Sequence, residues 1–101
     1  MYTHGDATNA AAKVPIAAVE GLRHAVSWIA WSYTGVPTSG TLQVLDAGDV
    51  IFDIDIILAC ANMIHFGDSA LIGTPGADMT IELTGGGLTL KGKVNVCYRD
   101  I

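Results

Sequence analysis

Two aspartates stand two positions apart in the most apolar stretch of the chain. Asp53 and Asp55 interrupt the run VIFDIDI at residues 50–56. In an extended strand their carboxylates point to the same side, about 7 Å apart, a separation compatible with a calcium site or an acid/base pair. This spacing is more typical of a solvated sheet face, on which Lys91 or Lys93 of a neighbouring strand would relieve the like charges. We expect this structural role.

The histidines and cysteines do not form a recognisable metal-binding motif. His4, His24 and His65 lie in separate segments, without the i, i+2 or i, i+4 partner that a metal site within one element needs. A trimer axis could still gather three copies of one histidine. Cys60 and Cys97 are far apart and lack a CxxC motif, so we expect two reduced structural thiols. We predict no metal and no cofactor.

No segment carries the pattern of a catalytic nucleophile or a phosphate-binding loop. None of the serines lies in a Gly-Xaa-Ser-Xaa-Gly frame, and Cys97 has no neighbouring histidine in sequence. Gly85-Gly86-Gly87 precedes a predicted strand, so it lacks the helix N-terminus that a phosphate cradle uses. We therefore predict no catalytic residue and no enzymatic activity.

The elements that must position these residues are predicted to be strands throughout. The chain has 101 residues, of which 50% are apolar and 12 are glycine, with no long run of helical periodicity. This length allows one domain with one core. Alternating segments bounded by turn residues predict an all-β fold, an antiparallel β-sandwich or jelly roll of about six to eight strands. The predicted strands are residues 14–19, 23–33, 41–45, 50–58, 62–66, 79–83 and 88–99, with a hairpin turn at 46–49 and a long loop at 67–78.

The first twenty residues are predicted to form an extended N-terminal arm. Residues 1–13 are small and polar, without a periodic apolar face that could line a core. Residues 14–19 could form a short strand, although Pro15 would confine it to a sheet edge. We thus expect an arm at residues 1–20 and a single β-sandwich domain at residues 21–101.

The predicted strand at residues 23–33 is apolar on both faces. Strict alternation places Trp31 on one face and Trp28 on the other. One face lines the core, so the other either meets a second subunit or packed layer, or is covered by the N-terminal arm. The sequence leaves both alternatives open. The residues expected at a subunit interface are Trp28, Trp31, Tyr33, Val14 and Ile16.

The charge balance argues against nucleic acid as a partner. Ten acidic residues against five basic residues give a formal net charge of −5, so no extended phosphate-neutralising surface is available. The basic residues could still form a local patch where the two ends of the chain meet. They are Lys13, Arg23, Lys91, Lys93 and Arg99.

Neither a secretion signal nor a membrane span is predicted. The N-terminus lacks the basic start and the continuous apolar core of a signal peptide. The longest apolar run, residues 50–64, contains Asp53 and Asp55, whose burial in lipid would be costly. We expect a soluble protein, made in the cytoplasm, without a membrane partner.

Several segments resemble a group of virion proteins. They are WIAWSYTGVPTSG (28–40), VIFDIDI (50–56), GTPGADMTIEL (73–83), GGG (85–87) and GKVNV (92–96). Together they are similar to small β-sandwich proteins encoded in the structural gene clusters of tailed bacteriophages and prophages. The motifs consist of turn and core residues, so they indicate a fold more than a role. The chain departs from the group at residues 59–63, a bend that is usually richer in Gly and Pro.

The resemblance implies a non-enzymatic virion structural protein. Small acidic β-sandwiches of this group are often capsid decoration (cement) proteins that sit as trimers over capsomer junctions. We therefore expect a homo-oligomer, with a trimer favoured, bound to the major capsid protein on the virion surface, after synthesis in the cytoplasm of a bacterial host. The N-terminal arm would lie along a capsid subunit or a neighbouring protomer.

The alternative is a binding module of a phage tail or fibre. In that role the loop at residues 67–78 and exposed aromatic residues such as Tyr33 or Tyr98 would grip a glycan or another virion protein.

Overall fold

The computed structural model describes residues 1–59, 61–87 and 89–101, and every regular element in them is a strand. The all-β prediction is confirmed. None of these residues belongs to a helix long and apolar enough to cross a bilayer. The predictions for Cys60 and for a strand beginning at Leu88 fall outside the described residues. The strands are β1 (Tyr2–Thr8), β2 (Ala12–Ile16), β3 (His24–Tyr33), β4 (Gly40–Asp46), β5 (Asp49–Ile56), β6 (Asn62–His65), β7 (Leu71–Ile72), β8 (Met79–Leu83) and β9 (Lys91–Asp100).

The strands form two antiparallel sheets packed face to face, which confirms the β-sandwich. One sheet has the order β1-β9-β3-β6, with β7 also paired to β3, and the other has the order β2-β8-β4-β5. Alternate side chains of each strand point between the sheets and form one apolar core. Its largest fully buried apolar side chains are Val14, Val26, Ile29, Leu42, Val44, Met79, Ile81, Leu83, Val94 and Val96.

The prediction of an N-terminal arm is corrected, because residues 1–20 contribute an edge strand to each sheet. β1 pairs with β9, beginning with Tyr2 opposite Cys97, and β2 pairs with β8. An edge strand can be built from small residues when only one of its faces is covered. The strand that pairs with β1 lies at the other end of the chain, so local sequence carries no sign of the pairing. The sandwich therefore begins at Tyr2 rather than at residue 21.

β1 and β2 close one side of the sandwich, where the chain crosses from one sheet to the other. A Cβ atom on Gly5 would collide with the backbone carbonyl of Lys13, so β1 can approach β2 this closely only without a side chain. On the opposite side β5 and β6 are the edges, and the rings of Phe52 and Phe66 meet there at right angles, with centroids 5.3 Å apart. We call this β5–β6 side the open side.

A β-bulge in β3 changes which of its side chains face the core. The pairing of β3 with β9 shifts between Val26 and Trp28, which leaves Ser27 as the extra residue. Val26 and Ile29 are consequently both buried, although they are three positions apart. The strict alternation expected along this strand holds only after the bulge. This alternation after the bulge places Trp28 on the outer face of the five-stranded sheet.

The segment at residues 67–78 is held against the sandwich rather than projecting as one free loop. It contains β7, and the Gly73 amide donates a hydrogen bond to the His24 carbonyl in β3. The Asp46 carboxylate accepts hydrogen bonds from the backbone amide and the hydroxyl of Thr74, at 3.0 and 2.6 Å. Asp46 also ends β4 at the predicted hairpin turn, which the structure confirms between β4 and β5.

Tyr33 connects the end of β3 to the turn after β8. Its hydroxyl donates a 2.6 Å hydrogen bond to the carbonyl oxygen of Thr84. Burial raises the pKa of this hydroxyl above its ordinary value, and the Thr84 hydrogen bond partly offsets that rise. Glycines surround the ring, because a Cβ atom on Gly40 or Gly86 would lie 2.7 or 2.8 Å from Tyr33 atoms.

Replacing Tyr33 by Phe is expected to lower the free energy of unfolding by about 1 kcal/mol at pH 7, because the Thr84 carbonyl loses its donor. A phenol with a raised folded pKa stabilises the fold below its unfolded pKa of 10.0, and this contribution is lost as pH rises through the folded pKa. Urea unfolding between pH 7 and pH 11 should show a decline in the wild type that Tyr33→Phe reduces. Tyr98→Phe is the control, and an unchanged decline in Tyr33→Phe would contradict the assignment.

Candidate functional site

The outer face of the five-stranded sheet carries a row of aromatic side chains assembled by strand pairing. Tyr2 of β1 lies opposite Cys97 of β9, Cys97 lies opposite Trp28 of β3, and Trp28 lies opposite His65 of β6. Residues directly opposite one another on antiparallel strands point to the same side of the sheet. Four strands from distant parts of the sequence therefore place Tyr2, Trp28 and His65 on one surface.

Two rings of this row are in contact. The ring centroids of Tyr2 and Trp28 are 6.0 Å apart, and the ring planes are tilted by 41°. The Tyr2 ring also lies 6.4 Å from that of His4. Tyr2 is 61% exposed and Trp28 is half-buried, so Tyr2 shields part of the indole and leaves the rest accessible to solvent.

Polar side chains occupy the neighbouring rows of the same face. The Tyr2 hydroxyl donates a 2.5 Å hydrogen bond to Oδ1 of Asn95, which lies opposite His4. Asp6 and Lys93 lie opposite each other one row further on, and they line a depression of about 250 Å³ together with Tyr2, His4 and Asn95. We call the surface formed by Tyr2, His4, Trp28, His65 and Asn95 the aromatic face.

The groups of the aromatic face are suited to noncovalent binding. Tyr and Trp rings present an apolar surface with a polar edge, and Asn and His side chains can both donate and accept hydrogen bonds. In the described ranges, no three His, Cys, Asp or Glu side chains come together as a group that could hold a metal ion. The arrangement fits a ligand that has apolar faces and hydrogen-bonding edges.

Four of the five residues predicted for a subunit interface are corrected to core residues. Val14, Ile16, Trp31 and Tyr33 are 1%, 5%, 6% and 5% exposed, because β2 and the second half of β3 turn these side chains toward the opposite sheet. Side chains buried to this degree cannot contact a second subunit while the sandwich stays folded. Trp28 remains on the outer surface, where the N-terminal strand covers part of it through Tyr2. Partial cover by the N-terminal segment was the second of the two alternatives that the sequence left open, and contact of the remaining surface with a second subunit stays a prediction.

The aromatic residues expected to grip a glycan are also placed elsewhere. Tyr33 is in the core, and Tyr98 packs against the core with its ring perpendicular to that of His24, 5.9 Å away. His24 is itself buried, with Nδ1 2.5 Å from Asp100 Oδ1 and Nε2 2.9 Å from the Ala17 carbonyl oxygen. A carbonyl oxygen only accepts, so Nε2 carries a proton and donates it. His24 therefore has a structural role.

Asp53 and Asp55 lie exposed on β5, opposite Gln43 and Thr41 of β4. Their outward orientation was expected. The expectation that Lys91 or Lys93 would offset the like charges of the two aspartates is corrected, because both lysines lie on β9, which belongs to the other sheet.

Two further concave surfaces have features that fit a ligand less well. The larger, of about 660 Å³, is lined by charged groups that already have partners: Lys13 is 3.9 Å from Glu82, and Asp78 accepts a hydrogen bond from the Ala18 amide. The second, of about 260 Å³, lies on the open side, where Ile54 and buried Trp31 are among its lining residues. Neither surface presents exposed aromatic rings.

Comparisons with known proteins bear on the fold alone. No family model matches the chain, and no curated protein matches its sequence. A solved structure of the carbohydrate-binding module CBM36 in complex with calcium and xylotriose is similar, with a TM-score of 0.51 and 9% identity over 95% of this chain and 78% of that one. The crystal structure of PirA gives a TM-score of 0.53 and 11% identity over 97% and 93%. At these identities the likeness shows a shared β-sandwich.

Sequence reasoning missed Tyr2 and Asn95 of the aromatic face, and it considered His4 and His65 only as metal ligands. The signal was present in part, because residues 2–8 alternate larger side chains with the small residues Thr, Gly and Ala. The alternation is polar rather than apolar, and it becomes meaningful only when β9 is known to lie beside it.

Removing the Tyr2 ring is expected to expose Trp28. In a Trp31→Phe background, in which Trp28 is the remaining tryptophan, Tyr2→Ala should increase the acrylamide quenching of its fluorescence, because Tyr2 shields one part of the indole. Val36→Ala, an exposed position away from β1, is the control. Equal quenching with and without the Tyr2 ring would contradict the contact between the two rings.

Proposed function

We propose that this domain is a non-enzymatic carbohydrate-binding module and that the aromatic face is its binding surface. The observation that supports this proposal is the contact between Tyr2 and Trp28 beside the hydrogen-bonding groups of Asn95 and His4. The fold is compatible with such a role, since the similar CBM36 structure is that of a carbohydrate-binding module with xylotriose bound.

The chemistry of sugars matches the two kinds of group on this face. A pyranose ring has an apolar C–H surface that packs on an aromatic ring, and its edge carries hydroxyl groups that donate and accept hydrogen bonds. Trp28 and Tyr2 supply the rings, and the Asn95 amide and His4 imidazole supply donors and acceptors. The 41° tilt between the rings forms a shallow V, which fits a single soluble saccharide chain better than a flat crystalline surface.

The proposed site is preorganised by the sheet. Each of its side chains projects from a strand whose neighbours fix its position, and the Tyr2–Asn95 hydrogen bond orients the phenol ring. Binding therefore requires little ordering of the protein. The face is shallow, and it leaves most of a sugar in water, so we expect modest affinity per site.

A glycan array followed by titration calorimetry tests this proposal. Trp28→Ala should weaken binding of the selected oligosaccharide about tenfold or more, because an aromatic ring at the centre of a binding surface contributes most of its energy. Val36→Ala, which is exposed and far from the face, should bind like the wild type. Thermal unfolding confirms that each variant is folded.

Two results would count against the carbohydrate proposal: no binding of any glycan by the folded wild type, or binding that Trp28→Ala leaves unchanged.

Trimeric capsid decoration is a second candidate function, and exposed apolar side chains on the open side favour it. Ile57 and Leu58, which follow β5, are 74% and 62% exposed, and Met63 of β6 is 46% exposed. Adjacent exposed apolar side chains such as Ile57 and Leu58 are a feature of protein interaction surfaces. In this role the open side, rather than an N-terminal arm, would contact a second subunit or the major capsid protein.

Light scattering of the purified protein tests this second candidate. A capsid decoration protein of this kind should form trimers that the double substitution Ile57→Ser, Leu58→Ser dissociates, because the change removes apolar area from the interface. Val36→Ser is the matched control. A wild-type monomer at high concentration would remove the trimer from consideration.

A further inference from the structure

The charged residues are distributed unequally between the two outer faces of the sandwich. The outer face of the five-stranded sheet carries Lys91, Lys93 and Arg99 of β9 and one acidic residue, Asp6, which gives 3 − 1 = +2. The outer face of the four-stranded sheet carries three acidic residues and one basic residue, which gives 1 − 3 = −2. Those four residues are Asp53, Asp55, Glu82 and Lys13. The chain as a whole carries −5, so the five-stranded face has the opposite sign to the molecule.

Two of the cations on this face are exposed and flank the aromatic row. Within the part of the chain that the structure describes, Lys93 and Arg99 take part in no ion pair, whereas Lys91 lies 3.9 Å from Asp6. Cys97 marks the aromatic row on β9. Arg99 is two residues beyond it, about 7 Å along the strand, and Lys93 is four residues before it, about 13 Å.

We propose that the aromatic face binds an acidic saccharide, an oligosaccharide that contains uronic acid. This inference rests on the proposed carbohydrate-binding function and adds the chemical class of the ligand. A sugar ring packs on Tyr2 and Trp28, and carboxylates on neighbouring sugars reach Lys93 and Arg99. The saccharide chain runs along β9, because the two cations lie on that strand on either side of the rings.

The net charge of the chain does not oppose this ligand. The two sheets of a sandwich lie about 10 Å apart, and charged side chains extend outward from each. The charges of opposite faces are thus separated by about two Debye lengths at physiological ionic strength, where the Debye length is about 8 Å. An anion at the aromatic face is influenced mainly by the +2 of that face.

A saccharide fits this surface better than a nucleic acid does. A polynucleotide carries a phosphate at every residue and binds along continuous basic tracks. Here the two exposed cations are six residues apart on one strand, and a carboxylate, that of Asp6, lies directly opposite Lys93. A uronic-acid oligosaccharide also presents hydroxyl groups on every sugar, which can exchange hydrogen bonds with His4 and Asn95.

The test compares tetragalacturonate with its fully methyl-esterified form, which keeps the sugar backbone and removes the charge. Calorimetry should show tighter binding of the acidic form, with an affinity that decreases as salt is raised. Lys93→Gln should weaken binding of the acidic form about two- to fivefold, the effect of losing one exposed ionic contact, and should leave the ester unaffected. Lys13→Gln, on the other sheet, is the matched control and should change neither affinity.

The outcomes separate this inference from the function on which it rests. Equal binding of the acid and the ester, or binding of neutral cellotetraose alone, overturns the acidic ligand and leaves the carbohydrate module in place. A folded wild type that binds no saccharide overturns both. Tighter binding of a single-stranded oligonucleotide of equal charge than of tetragalacturonate overturns the saccharide assignment in favour of nucleic acid.

Discussion

The division of β3 between the core and the outer face of its sheet is the constraint on which the candidate site depends. In a sandwich the inner face of each strand is used by the core, so a side chain is available to a ligand only on an outer face, at an edge or in a loop. By adding Ser27 to β3, the bulge lets Val26 and Ile29 both enter the core while Trp28 stays outside. Regular alternation after the bulge then turns Trp31 into the core and Trp28 outward, so the same strand stabilises the fold and presents an aromatic ring to solvent.

The parts of the fold that follow from local sequence were predictable. The hairpin between β4 and β5, the alternation of β8 and the long final strand depend on residues near one another in the chain, and turn residues mark their ends. The bulge was not predictable, because nothing in RHAVSWIAWSY shows which residue will be left unpaired. Assigning Trp28 and Trp31 to opposite faces was correct in outcome, but the burial of both Val26 and Ile29 contradicts strict alternation.

The N-terminal strands show why the candidate site could not be found from the sequence. β1 contains few apolar residues and gains its order from pairing with β9, at the opposite end of the chain. Gly5 is required where β1 crosses β2, and in the sequence it resembles a residue of a flexible segment. Tyr2 and Asn95 become neighbours only through this pairing, so the aromatic face is a property of the sheet order and has no motif in sequence.

Composition describes the whole chain, whereas a ligand meets one face. An excess of five acidic residues argues against a long polyanion, because a polymer that extends past the aromatic face is exposed to the net negative charge of the whole chain. The same excess says little about a short acidic ligand, since strand alternation assigns Lys91, Lys93 and Arg99 to one outer face and most carboxylates to other surfaces. In a two-layer fold, strand alternation can therefore give the two outer faces charges of opposite sign, which the net charge of the chain does not reveal. A short ligand experiences the charge of the face that it contacts, whereas a long ligand experiences the net charge of the whole chain.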